Sequence, residues 1–269
     1  MRRIRFVIWG LLVACCASCP DAFSRNKKGE DGPRVVFIGD SITDGNWGCV
    51  YHYKKTSAER SRTDLNHIYG HTYMSLVATW YETRHPRAGY QFYNRGFSGH
   101  KLADLANRWQ EDVLDLHPDV LSVLVGVNDI YNYVENGDGA EFDFAAWKEL
   151  YKSLLLQVRA QNPGVKLVLC TPFVARQGAL GEKPDYARRE ELTKRLAVLV
   201  RELAKETGAG LVPFDTLFEK LIRRQPRPSY WIWDGIHPTP AGHRKMAECW
   251  LRHVRLCCVV PAGFEPTTR

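Results

Sequence analysis

Val35-Val36-Phe37-Ile38-Gly39-Asp40-Ser41-Ile42-Thr43-Asp44-Gly45 is the stretch on which the fold turns. It opens on an apolar, β-rich run of four residues and continues as a polar turn that starts with Gly-Asp-Ser. A short apolar run bounded by turn residues suits a buried strand. The serine then stands at the carboxyl end of that strand, which in open α/β sheets is where ligands bind.

Outward from this stretch, strands and helices alternate. Strands are expected at Arg34–Gly39, Tyr90–Asn94, Val120–Gly126, Val165–Thr171 and Gly210–Pro213. Between them, Trp147, Leu150, Tyr151, Leu154, Leu155 and Val158 share one helical stripe, and Leu192, Leu196, Leu199, Val200 and Leu203 share another. Leu102, Leu105, Trp109 and Val113 form a third, and a last helix is expected from Pro240 to about Val254. Such alternation predicts a parallel sheet with helices on both faces. With five strands, the expectation is a flavodoxin-like three-layer α/β/α sandwich. The chain has 269 residues and 45% apolar content, enough for one good core. Residues 34–256 are read as that one domain, without repeats.

Three further blocks follow the serine: Asn94-Arg95-Gly96-Phe97-Ser98-Gly99, then Gly126-Val127-Asn128-Asp129, then Asp234-Gly235-Ile236-His237-Pro238. Any one of them alone is an ordinary turn or cap. In this order, over Arg34 to Val254, the four blocks resemble those of the SGNH (GDSL-type) hydrolase family. The resemblance implies the same α/β sandwich and a serine hydrolase acting on ester bonds.

The chemistry asks for such a set. A serine hydroxyl needs an adjacent base, and a base needs an acceptor that fixes its tautomer. His237 is the candidate base, and Asp234, three residues earlier, can reach the imidazole Nδ1 while Nε2 faces the serine. By resemblance, Ser41 is the nucleophile, His237 the general base and acid, and Asp234 the orienting carboxylate. The resemblance also implies an oxyanion hole formed by the backbone N–H groups of Ser41 and Gly99 and the side-chain amide of Asn128. Gly99, the glycine just after Ser98, matches the family position, and glycine permits positive φ there.

Other chemistries find less support. His67 and His71 are four apart, but no Glu follows His67 as in the zincin pattern, and Gly70 argues against a rigid helix. Gly96 and Gly99 lack the third glycine of a dinucleotide site, and no Walker-type lysine loop occurs. No metal and no cofactor are expected. Of the formal charge of +7, Arg2, Arg3 and Arg5 supply three in a segment expected to be removed, which leaves +4. No basic stripe interleaved with aromatics appears, so nucleic acid is not expected as a partner.

Residues 1–19 read as a targeting segment. Arg2, Arg3 and Arg5 precede an apolar stretch from Phe6 to Ala14 that is too short to span a membrane well. Leu12-Val13-Ala14-Cys15 resembles a bacterial lipobox, which would lipidate Cys15 and make it the membrane anchor; ordinary cleavage after about Ala17 is the alternative. Either way the protein is expected to be exported to the bacterial cell envelope or beyond. Residues 20–33 read as a flexible linker and 257–269 as a tail outside the domain. Cys49, Cys170, Cys249, Cys257 and Cys258 form no CxxC pair, and no disulfide is expected.

The substrate is expected to be an acylated small molecule or glycan. Trp231 and Trp233 precede Asp234, and Trp47 follows the serine block. Aromatic faces near a catalytic loop suit sugar rings, although core packing accounts for tryptophans equally well. These residues and the absence of a long apolar lid favour removal of acetyl or similar small acyl groups from carbohydrate. A lysophospholipid esterase, a thioesterase and a cell-surface glycan-binding protein are the alternatives. The polar stretch Trp47–Asn66 is either a specificity loop or a solvated one.

Overall fold

The computed structural model describes residues 32–48, 56–61, 65–137, 141–227 and 229–256. The strands are β1 (Arg34–Gly39), β2 (Gln91–Gly96), β3 (Val120–Leu124), β4 (Lys166–Cys170) and β5 (Gly210–Val212). They form one parallel sheet in the order β2-β1-β3-β4-β5. The order reverses at β1, so the crevice beyond the ends of β1 and β3 is the topological switch point of a flavodoxin-like sheet. The three-layer α/β sandwich expected from the sequence is the fold.

Eleven helices surround the sheet among the described residues. They are α1 (Ser41–Asp44), α2 (Ser57–Arg60), α3 (Tyr73–Arg84), α4 (Leu102–Asn107), α5 (Trp109–Asp112) and α6 (Val127–Asn136), then α7 (Phe144–Gln161), α8 (Gly178–Gly181), α9 (Tyr186–Thr207), α10 (Phe214–Arg224) and α11 (Pro240–His253). The period-2 alternation of β1 divides the core. Val35 and Phe37 pack with Met74, Val77, Phe214 and Trp250 of α3, α10 and α11. Val36 and Ile38 pack with Leu105, Trp147, Leu155 and Leu196 of α4, α7 and α9. All four side chains of this run are fully buried, which explains why β1 is continuously apolar.

Strand bounds differ from expectation where pairing or turns decide them. β2 runs on to Gly96 because Arg95 and Gly96 still pair with Ile38 and Gly39. β3 stops at Leu124, two residues early, because Gly126 takes up φ +129° as the cap of α6. The stripes on α7 and α9 are buried, with Leu150 and Leu199 only partly so. The third stripe is buried too, but its helix is broken. Arg108, at φ −120°, separates α4 from α5, and its side chain bonds to carbonyls at the ends of β1 and β2 instead. Residues 65–72 form turns, so His67 and His71 share no helix face.

The last helix is tied down at both ends. Thr239 Oγ1 accepts from the N–H of Gly242, with Pro240 in the first turn, an arrangement that suits a helix start. Near the other end, Trp250 Nε1 donates to Ser122 Oγ at 3.0 Å and its ring lies 5.2 Å from that of Phe37. Because α11 follows His237 directly, this packing fixes the histidine's position over β1. Cys170 and Cys249 are free and buried. Residues 1–31 (with Cys15), the tail 257–269, Cys49 and most of the stretch between Trp47 and Asn66 lie outside the described residues.

Candidate active site

Where β1 ends, Asp40 caps the single-turn helix α1. Its Oδ1 accepts from the Ile42 N–H at 2.9 Å, and its carbonyl accepts from Thr43 and Asp44. Ser41 is therefore the first residue of a helix at the switch point. Its Oγ lies 2.7 Å from His237 Nε2, and His237 Nδ1 lies 2.6 Å from Asp234 Oδ2. The other oxygen, Asp234 Oδ1, accepts the backbone N–H groups of Ile236 and His237 at 2.9 and 2.7 Å. With Nδ1–H given to the carboxylate, Nε2 is left to accept the Ser41 proton.

The loop carrying Asp234 is braced by the segment after β4. Leu180 donates its N–H to the Asp234 carbonyl, and Ala175 donates to the carbonyl of Gly235. Gly178 permits this approach: it has φ +53°, and a Cβ there would lie 2.3 Å from the Trp233 carbonyl oxygen.

Gly99 and Asn128, expected from the sequence as oxyanion donors, lie on the turn after β2 and in the first turn of α6. Gly99 has φ +83° and open space where a Cβ would project, so backbone conformation, not crowding, asks for glycine. Among the described residues, neither its N–H nor that of Ser41 is spent on an acceptor. Asn128, in the first turn of α6, donates one amide hydrogen to the His100 carbonyl at 3.1 Å. Its second amide hydrogen remains available. The neighbouring Asp129 serves structure, accepting from Trp147 Nε1 at 2.9 Å and from the Leu102 N–H.

Several supporting residues were not singled out by sequence reasoning. Asn94 donates to the carbonyls of Thr43, Asp44 and Tyr69 and accepts from the N–H of Gly96. It sews the serine turn to the end of β2; its place at the head of the second block was the available signal. Asp44 accepts from both N–H and Oγ of Ser98 and pairs with Arg60 at 2.7 Å, with both side chains buried.

The three tryptophans part company. Trp47 is 2% exposed, donates to the Gly96 carbonyl, and has the guanidiniums of Arg60 and Arg95 at 5.3 and 4.9 Å from its ring. This corrects its assignment as a substrate-binding residue, because the ring has no free face for a sugar. Trp231 is half-buried, with Nε1 bonded to the Leu221 carbonyl. Trp233 is 59% exposed and stacks beside His237, ring centres 6.3 Å apart.

Burial and charge set the protonation states. The Asp234 hydrogen bond and charge raise the His237 pKa against the opposing effect of burial. Burial pushes Asp234 up, but the bonds from His237 and the loop N–H groups outweigh it, so its pKa falls below the ordinary value. Asp40 is raised by burial to about 7, and Asp129, also by burial, to about 6.

This chain belongs to the GDSL-like Lipase/Acylhydrolase family, which it matches over residues 37–245. It is 28% identical over 245 residues to an acetylxylan esterase of Geobacillus stearothermophilus, covering 87% of this chain and 95% of that protein. An acetylxylan esterase of Xylanibacter ruminicola is 27% identical over 247 residues, which span 81% of this chain and 42% of that longer protein. Among solved structures, a protein from Parabacteroides merdae described as a GDSL-like lipase has a TM-score of 0.68 at 28% identity, covering 83% of this chain and 96% of that one. The Geobacillus acetylxylan esterase has a TM-score of 0.67 at 25% identity, covering 86% and 98%. Family and relatives together make this protein a serine hydrolase that cleaves ester bonds.

The raised His237 pKa has two consequences of opposite sense. As the expected general base, His237 must be neutral, so the rising limb of kcat/KM against pH should lie above the ordinary histidine value of 6.5. Stability from the His237–Asp234 pair is lost as pH rises through the raised folded pKa of His237, and also as pH falls through the lowered folded pKa of Asp234. Asp234→Asn should move the limb to lower pH and reduce kcat by about four orders of magnitude through loss of the tautomer. A pH–rate profile of both proteins checks this, and an unmoved limb would contradict it.

Proposed function

We propose that this serine hydrolase is an exported esterase that removes acetyl or similarly small acyl groups from carbohydrate. The observation that carries the mechanism is the continuous hydrogen-bonded chain from Ser41 through His237 to Asp234. Ser41 Oγ attacks the acyl carbonyl while His237 Nε2 takes its proton. Negative charge on the carbonyl oxygen is met by the N–H groups of Ser41 and Gly99 and by the Asn128 amide. Collapse of this intermediate breaks the ester bond, and His237 returns the proton to the departing sugar oxygen. Water then repeats the sequence on the acyl-serine, releasing the acid and restoring Ser41.

Two observations support the substrate class. Both curated relatives are acetylxylan esterases, and Trp233 offers an exposed indole face beside the proposed base. Solved catalytic variants of the Geobacillus esterase replace a serine, an aspartate and a histidine by alanine, and there too the aspartate precedes the histidine by three positions. In a further variant, the tryptophan directly before that aspartate is replaced by isoleucine, the position that Trp233 holds here.

Acetate release from acetylated xylo-oligosaccharides tests the reading. Ser41→Ala should fall to background, and Asn128→Ala should lose about 100- to 1,000-fold in kcat with little change in KM. Trp233→Ala should raise KM for the oligosaccharide while leaving p-nitrophenyl acetate turnover within about threefold, as loss of remote binding does. A preference for acyl chains of about eight carbons or more would instead indicate a lipid esterase, whose sites are mostly apolar.

Export rests on the basic residues, apolar stretch and Leu12-Val13-Ala14-Cys15 of the N-terminus. In a bacterial host, the chain should fractionate with membranes and Cys15→Ala should release it; membrane association unchanged by that substitution would exclude a lipid anchor at Cys15.

A further inference from the structure

We propose that Arg108 is the positioning residue of the oxyanion hole, holding the Gly99–His100 turn and, through it, Asn128. The proposal rests on the functional reading of Ser41, Gly99 and Asn128 given above.

Arg108 lies where the expected α4–α5 helix breaks, and its guanidinium reaches three parts of the site at once. Nη1 donates to the Arg95 carbonyl at 2.9 Å, at the end of β2. Nη2 donates to the carbonyl of Gly39 at 3.3 Å, two residues before Ser41. Nε donates to His100 Nδ1 at 3.1 Å. The guanidinium carbon also sits 4.7 Å from the centre of the Phe97 ring, and Phe97 stacks on His100. The turn from Phe97 to His100 is thus gripped by Arg108 on one side and, through Ser98, by Asp44 on the other.

His100 passes this grip to both donors. Gly99 is its neighbour in the chain, so fixing the ring of His100, whose backbone N–H is bonded to the Phe97 carbonyl, limits how the Gly99 N–H can swing. Asn128 is bonded to the His100 carbonyl, so the same residue sets the amide's orientation. A lysine cannot replace this arrangement, because only the planar fork carries five donors in fixed, divergent directions.

The charge of Arg108 acts in the same sense. Asp112, 1% exposed, pairs with Arg108 and, at 3.5 Å, with Arg95. Two guanidiniums share this one carboxylate. Negative charge developing on the substrate oxygen would face that surplus of positive charge.

The test uses p-nitrophenyl acetate with Arg108→Lys, Arg108→Gln, Asn128→Ala and the Arg108→Gln/Asn128→Ala double variant, with folding checked by circular dichroism. Both Arg108 variants should lose about 10- to 100-fold in kcat with KM within about threefold, the signature of a lost transition-state interaction. Their affinity for a boronic acid that forms a tetrahedral adduct on Ser41 should weaken in parallel. In the double variant the two losses should fall well short of multiplying, because residues acting through one network couple. His100→Phe keeps an aromatic ring against Phe97 and removes both ring nitrogens, the Nδ1 acceptor among them; it should lower kcat in the same direction, and it serves if the Arg108 variants do not fold. Wild-type kcat in any of these folded single Arg108 or His100 variants, or losses that multiply fully, would overturn the proposal. Failure of the underlying reading has a different signature: a fluorophosphonate would then not label Ser41 in the wild-type protein.

Discussion

The 2.7 Å contact between Ser41 Oγ and His237 Nε2 joins residues 196 positions apart, and the remaining architecture serves to keep it. Neither partner can drift. Ser41 is held by the Asp40 cap at the end of a strand buried on both faces. His237 is held by the Asp234 carboxylate below it and by α11 immediately after it, whose Trp250 packs on the same strand from the helical side. Both halves of the contact therefore refer to β1. A serine and a base placed on separate mobile loops would meet only a fraction of the time, and activation of the hydroxyl requires that they stay within hydrogen-bond reach.

Holding the site this way places an unusual amount of charge in the interior. Asp44 and Arg60 form a buried pair at 2.7 Å; breaking such a pair by removing one partner is destabilising by about 3–5 kcal/mol. Asp40 is 1% exposed, and its Oδ2 has no partner among the described residues. Burial accordingly raises its pKa to about 7. The folded chain binds this proton more tightly than the unfolded one, so the contribution of Asp40 to stability declines as pH rises from 3.8 towards 7. The same carboxylate, once ionised, favours a charged His237, the state that forms when the base has taken the serine proton. In the proposed mechanism this loss of stability falls beside Ser41, where the ionised carboxylate would favour the chemistry.

Much of this was legible in the sequence because it follows from local pattern. The apolar run Val35–Ile38 demands two covered faces, and the five strands and the α7 and α9 stripes follow from period and punctuation. Ser41, Asp234 and His237 were readable from block order, and the structure brings them within hydrogen-bonding distance. What escaped was what depends on partners distant in sequence. Nothing near Trp47 announces that Arg60 and Arg95 will enclose its ring. Arg108 occupies a polar position in an ordinary helical stripe, and only the assembled sheet ends reveal why the helix breaks there. Trp231 and Trp233 look equivalent in sequence, yet the Leu221 carbonyl draws one inward and leaves the other exposed. Asn94 was legible as part of a block, but its role as the stitch between the serine turn and β2 was not.

The proposed mechanism requires that Ser41 be acylated with His237 as its base. The direct measurement is to quench a reaction with p-nitrophenyl acetate and locate the acetyl group by peptide mass spectrometry, in the wild-type protein and in folded His237→Ala. An acetyl group is expected on Ser41 in the wild type, with none accumulating in the variant. Acetylation of a different residue, or turnover by the variant at the wild-type rate, would contradict it.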